Sequence, residues 1–143
     1  MKTPIKIALK RRTFILPALA AIGLMAVAAL AADPEQEAKP IVADVKPLPI
    51  MEQSAGRMLF EENCASCHGK LADGNDGKGP PLVHPYYRQN HHSDVAFYRA
   101  AEQGVQAHHW PFGNMPAQQQ VSRDEVTKII AYLRRLQNLN GIH

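Results

Sequence analysis

An all-α domain of three to five short helices joined by long loops is the fold this sequence predicts. Three observations predict it. Ser122 opens a capping box that leads into apolar residues at helical spacing, Ser93 and Gly104 bracket a second helical stretch, and nowhere do apolar and polar residues alternate as a half-buried strand requires. The intervening segments are rich in glycine and proline and read as loops.

Taken in order, the 143 residues have room for little more than one domain. Residues 1–31 open with Lys2, Lys6, Lys10, Arg11 and Arg12 and no acidic residue, continue through an apolar run, and end on Ala29-Leu30-Ala31. That is the layout of a cleaved signal peptide and predicts a periplasmic protein. The uncharged run from Thr13 to Ala32 is also about long enough to span a bilayer, so the alternative is an uncleaved inner-membrane anchor facing the periplasm. Cleavage would remove five of the 16 basic residues and leave eleven against 13 acidic ones, turning the formal charge of +3 into about −2. Nothing in that remainder suggests a nucleic-acid partner.

Residues 32–52 hold four prolines and mixed charge without helical or strand period, and read as an extended tether. The domain then occupies 53–143. Ser54 to Asn63 forms a short helix candidate that runs directly into Cys64, and a glycine- and proline-rich loop follows from Leu71 to Leu82. A helix runs from Ser93, its N-cap, to a stop at Gly104, and a second irregular stretch spans 108–120. The last helix is capped by Ser122 and Glu125, with Val126, Ile129, Ile130, Leu133 and Leu136 on one face. About 90 residues with this much loop bury little surface, so something besides side chains should fill the centre.

The two cysteines of the chain, Cys64 and Cys67, stand three apart, and His68 follows directly. A thioredoxin-like redox pair would need a preceding strand, and a structural zinc site a second ligand pair at comparable spacing. Cys-x-x-Cys-His is instead the attachment pattern of c-type haem: two thiols add across the two vinyl groups, and the adjacent imidazole is carried beneath the ring to bind iron. One haem c, held by two thioether bonds, is therefore the expected cofactor.

With these residues in view, the region from Gln53 to Asn140 resembles a class I cytochrome c domain. Gly56 and Phe60 stand eight and four residues before Cys64, as in the N-terminal helix of that family, and Tyr132 sits where the family packs an aromatic against the glycine. The resemblance implies a small fold of short helices and long loops wrapped around one covalent haem. It also implies that Gly79-Pro80-Pro81-Leu82 matches the family's Gly-Pro-x-Leu. The Pro80 carbonyl would then accept a hydrogen bond from the His68 ring and Leu82 would pack on the haem face. Met115, 47 residues after His68 and followed by Pro116, matches the distal iron ligand.

His108 and His109 rival Met115, since imidazole is a good iron ligand and two histidines would lower the reduction potential. His84, His91, His92, His108 and His109 are a surplus for a minimal domain of this kind. They read as a solvated rim or as a pH-dependent or metal-binding patch beside the haem, with copper as the candidate ion. Trp110 reads either as a donor to a haem propionate or as loop packing. With both axial positions filled by protein there is no open site for a substrate. The expected role is thus an electron carrier, not an enzyme, passing single electrons between a redox protein donor and acceptor. The alternatives are a haem sensor in which Met115 leaves for a small molecule, or a tightly bound subunit of a dehydrogenase or oxidase. A membrane partner enters only if the N-terminal segment is uncleaved.

Overall fold

The computed structural model describes residues 39–49 and 54–143, and the predicted leader (1–31) lies outside them. The described residues form the α-helices α1 (Ala55–Asn63), α2 (Ala65–His68), α3 (Asp94–Gln103) and α4 (Arg123–Leu139), with a 3₁₀ turn at Pro85–Tyr87 between α2 and α3. Among the described residues there is no strand, only the isolated bridges Asn75–Gly79 and Val105–Met115. None of these helices is long and apolar enough to cross a membrane.

Helix α4 organises the rest because its sequence offers both a strong start and a wide apolar face. The Ser122 hydroxyl accepts from the Glu125 backbone N–H, while the Glu125 carboxylate accepts from the Ser122 backbone N–H at 2.8 Å. Behind that box Val126, Ile129, Ile130, Tyr132, Leu133, Leu136 and Gln137 are buried. Each large apolar side chain among them contributes about 1.5–3 kcal/mol when fully removed from water. Helices α1 and α3 both pack on this face.

The crossing of α1 over α4 depends on Gly56. A Cβ there would stand 2.0 Å from the Lys128 carbonyl oxygen and 3.1 Å from the Tyr132 Cβ, so no other residue fits without displacing the helices. One turn on, Phe60 is fully buried and lies 5.6 Å from the Tyr132 ring, centroid to centroid. Ser93 occupies the N-cap position of α3 as the sequence suggests, but its side chain makes no capping hydrogen bond.

The segment read as a tether is described from Lys39 to Pro49, and there it lies along the domain. Ile41 and Val42 donate their backbone N–H groups to the Asp73 carbonyl, and Asn140 brackets the Lys46 backbone with two hydrogen bonds. Val45 and Leu48 are buried in the common core. Prolines prevent a regular period in this stretch, which is why its apolar residues do not announce their docking in the sequence.

Candidate functional site

The site begins where α1 ends. The Cys64 N–H donates to the Phe60 carbonyl at 2.8 Å, and the chain turns at once into α2, with His68 N–H bonding back to the Cys64 carbonyl at 3.0 Å. On one helical turn, positions i, i+3 and i+4 share a face. Cys64, Cys67 and His68 occupy those positions and line the same cavity. Burial, with a smaller contribution from Cys67 nearby, pushes the Cys64 thiol up to about 11. A redox-active pair needs the opposite shift, toward thiolate. The two cysteines are unpaired and are placed as attachment points rather than as a dithiol switch.

His68 is buried, and its Nδ1 lies 2.8 Å from the Pro80 carbonyl oxygen. A carbonyl only accepts, so Nδ1 carries the proton and Nε2 keeps a lone pair for a metal. Burial lowers the pKa of this ring and so favours the neutral, ligating form, against the smaller opposing pull of the Pro80 hydrogen bond. The carbonyl is itself held by its loop. Leu82 and Val83 donate to the Ala72 carbonyl at 2.7 and 3.0 Å, and the buried Gln137 donates Nε2–H to the Leu82 carbonyl at 2.8 Å.

Met115 arrives from the far loop. Its backbone N–H and carbonyl both pair with Val105 at 2.9 Å, a two-bond clamp on an otherwise irregular segment. Gly104 makes the clamp possible: it has φ +77°, and a Cβ there would sit 2.4 Å from the Met115 carbonyl oxygen. Met115 lines the same cavity as the cysteines and His68. His92, His108 and His109 reach its wall as well, whereas His84 and His91 do not.

The cavity measures about 550 Å³, well within the range of cofactor pockets. Phe60, Leu82, Phe97, Ile129 and Leu133 give it apolar walls from α1, α3, α4 and the Pro80 loop. The Trp110 indole Nε1, on the same wall, is buried without a hydrogen-bond acceptor; the Tyr87 hydroxyl feels that N–H but is out of bonding geometry. Two thiols, a neutral imidazole, a thioether and an orphaned donor around an apolar slot fit a flat, covalently held iron macrocycle with acidic edge groups.

A family model described as Cytochrome c matches residues 53–137, more than half of the chain. The chain belongs to the cytochrome c family. As a class I c-type cytochrome domain it carries covalently attached haem c, and the Cys64 and Cys67 spacing fits the two thioether bonds. It is a haem-based electron carrier in the general sense of that family. Neither the curated proteins nor the solved structures gave a match.

Sequence reasoning missed Arg134. From α4 its guanidinium donates to the Tyr87 and His92 carbonyls at 2.6 and 2.7 Å, and to Asp94 and Gln137 at 2.8 Å each. It also lies over the Phe97 ring, so one side chain fixes two cavity-lining elements. Gln137 was missed too. The available signal was its spacing, four residues after Leu133, which puts an amide on the buried stripe where an apolar residue would be expected.

Proposed function

We propose that this cytochrome passes single electrons between a redox protein donor and a redox protein acceptor in the periplasm, with His68 and Met115 as the two protein ligands to iron. The observation that supports it is the placement of both side chains on one cavity, each on a braced backbone. His68 is oriented by Pro80, and Met115 is clamped by Val105. Bound haem supplies a reversible one-electron couple at its iron. The chain's own residues do the rest. Cys64 and Cys67 keep the group attached outside the cytoplasm, the apolar walls exclude water, and Trp110 offers its N–H to an acidic edge group. A braced pair of ligands changes little between oxidation states, which keeps the reorganisation on electron exchange small. Docking of either partner should be small and transient, because a carrier must be released quickly.

The export reading rests on the Lys/Arg-first, apolar, small-residue layout of 1–31. The ligand reading is tested by the weak near-infrared iron–sulfur charge-transfer band of the oxidised protein. The wild type and a His108→Ala/His109→Ala variant should show it, and Met115→Ala should not. A band that survives Met115→Ala would remove methionine from the iron. Reduced wild-type protein should leave carbon monoxide unbound at neutral pH; binding would favour the sensor alternative.

A further inference from the structure

We propose that His91, His92 and His109 form a binding site for one divalent late first-row cation, zinc or copper, at the rim of the haem cavity. One ring nitrogen from each lies within 4.8 Å of the others, although His109 comes from a loop 17 residues further along the chain than His92. His91 Nε2 and His109 Nε2 are 3.3 Å apart. Two nitrogens on a tetrahedral ion with bonds of about 2.0–2.1 Å stand about 3.3–3.4 Å apart, so this pair already has the spacing of one edge of the polyhedron. Without metal, one imidazole must donate its proton to the other; a cation replaces that proton and uses both lone pairs.

The remaining ligand is oriented in the manner of metal-binding histidines. The His92 Nδ1–H donates to the Tyr86 carbonyl, which leaves the lone pair on Nε2. The rings are also held in place by their neighbours. Tyr86 stacks on His109 with centroids 4.6 Å apart and planes 28° apart, Tyr87 packs on His92 at 5.1 Å, and Arg134 fixes the His92 carbonyl. His108 stands beside the group, its ring 4.4 Å from His109 and its Nδ1 donating to the Gln106 carbonyl, so the fourth position falls to His108 or to water. Ring stacking alone does not require three nitrogens to converge. The donor set is all imidazole, which selects zinc and copper over magnesium and calcium. His91 and His109 are exposed, so an ion can enter from solvent without crossing the haem cavity.

The site ties the Tyr86–His92 segment to the loop that carries Met115, and His92 and His109 both line the haem cavity. Occupancy would therefore be felt at the iron, whatever its sixth ligand.

Calorimetric titration of the haem-loaded full chain with zinc(II), and electron paramagnetic resonance with copper(II), test the proposal. One equivalent should bind, and the copper spectrum should show coupling to at least three imidazole nitrogens. His91→Ala and His109→Ala should each weaken binding by about 10–100-fold or more, since losing even an outer partner has effects of that order. His84→Ala, outside the group, should bind as the wild type does. No saturable uptake, or uptake unchanged in His91→Ala/His92→Ala/His109→Ala, overturns the site. The haem absorption spectrum of each variant separates this result from the iron ligation. If His109→Ala changes the haem spectrum with no zinc or copper added, that residue belongs to the iron and the proposal fails.

Discussion

Gly56 and Trp110 show how single residues report on the haem site from opposite directions. At Gly56 the constraint is contact: an added Cβ would meet the Lys128 carbonyl at 2.0 Å, a separation only backbone movement can relieve. Gly56→Ala should therefore destabilise the haem-loaded protein by about 1–3 kcal/mol or more, the range for overpacking, although alanine is the better helix former. Denaturant unfolding followed by haem absorbance checks it, and an unchanged midpoint would mean that α1 and α4 can shift apart freely. At Trp110 the constraint is a missing acceptor, since its indole N–H is buried with nothing to receive it. If a haem propionate is that acceptor, Trp110→Phe costs about 1.5–3 kcal/mol in the haem-loaded protein, as for hydrogen bonds to charged groups. If the donor stays orphaned, the same change is neutral or stabilising, and thermal melts of the two proteins separate the outcomes.

At the scale of elements, α4 joins a local device to a long-range one. Glu125 is held below the usual carboxylate range by the Ser122 backbone N–H and then by the Ser122 hydroxyl. A depressed pKa adds stability above the unfolded value, and that stability is lost as pH falls through the folded one. Glu125→Gln should thus lower the melting temperature at and above the ordinary glutamate range, match the wild type at pH below the folded value, and so flatten the acid limb between them. Arg134 acts across the fold: its side chain is only 13% exposed and serves four acceptors, two on the segment between α2 and α3 and one each on α3 and α4. Arg134→Lys should cost about 2–3 kcal/mol, because an ammonium has three donors and lacks the planar fork. Urea unfolding of the haem-loaded variant measures this, and a loss under half a kcal/mol would demote the residue to a surface ion pair. These two residues mark what the sequence could convey. The helices were legible because caps and apolar spacing are local, and so was Cys64 to His68, whose spacing is itself the chemistry. Arg134 and Gln137 were not, because their acceptors are carbonyls some 40 to 55 residues away. The five histidines of the two loops could be read as candidate metal ligands, but which three converge could not, since that depends on where two irregular loops come to rest.

For the domain as a whole, the question is what holds three short helices and the longer α4 together. Helix α1 has nine residues and α2 four, below the roughly 12–15 at which an isolated helix becomes even marginal in water. Both owe their persistence to packing, and their packing surrounds the haem cavity. At about 24 cal/mol per Å³, a cavity of about 550 Å³ left unfilled would cost on the order of 13 kcal/mol. Because the cavity opens to solvent, water would relieve part of that cost, yet the figure rivals the 5–15 kcal/mol by which a whole domain is usually stable. Haem is therefore as much the core of this protein as Phe60 or Leu133, and its covalent attachment is a folding device as well as a safeguard against loss. A Cys64→Ser/Cys67→Ser chain purified without haem should show little of the helical far-ultraviolet dichroism of the wild type and no cooperative thermal transition. Native helicity in that variant would mean that α4, with its cap and apolar face, closes the domain without the cofactor. In that case the cavity must collapse, and Phe60, Leu82 and Leu133 must meet across the space that haem otherwise fills.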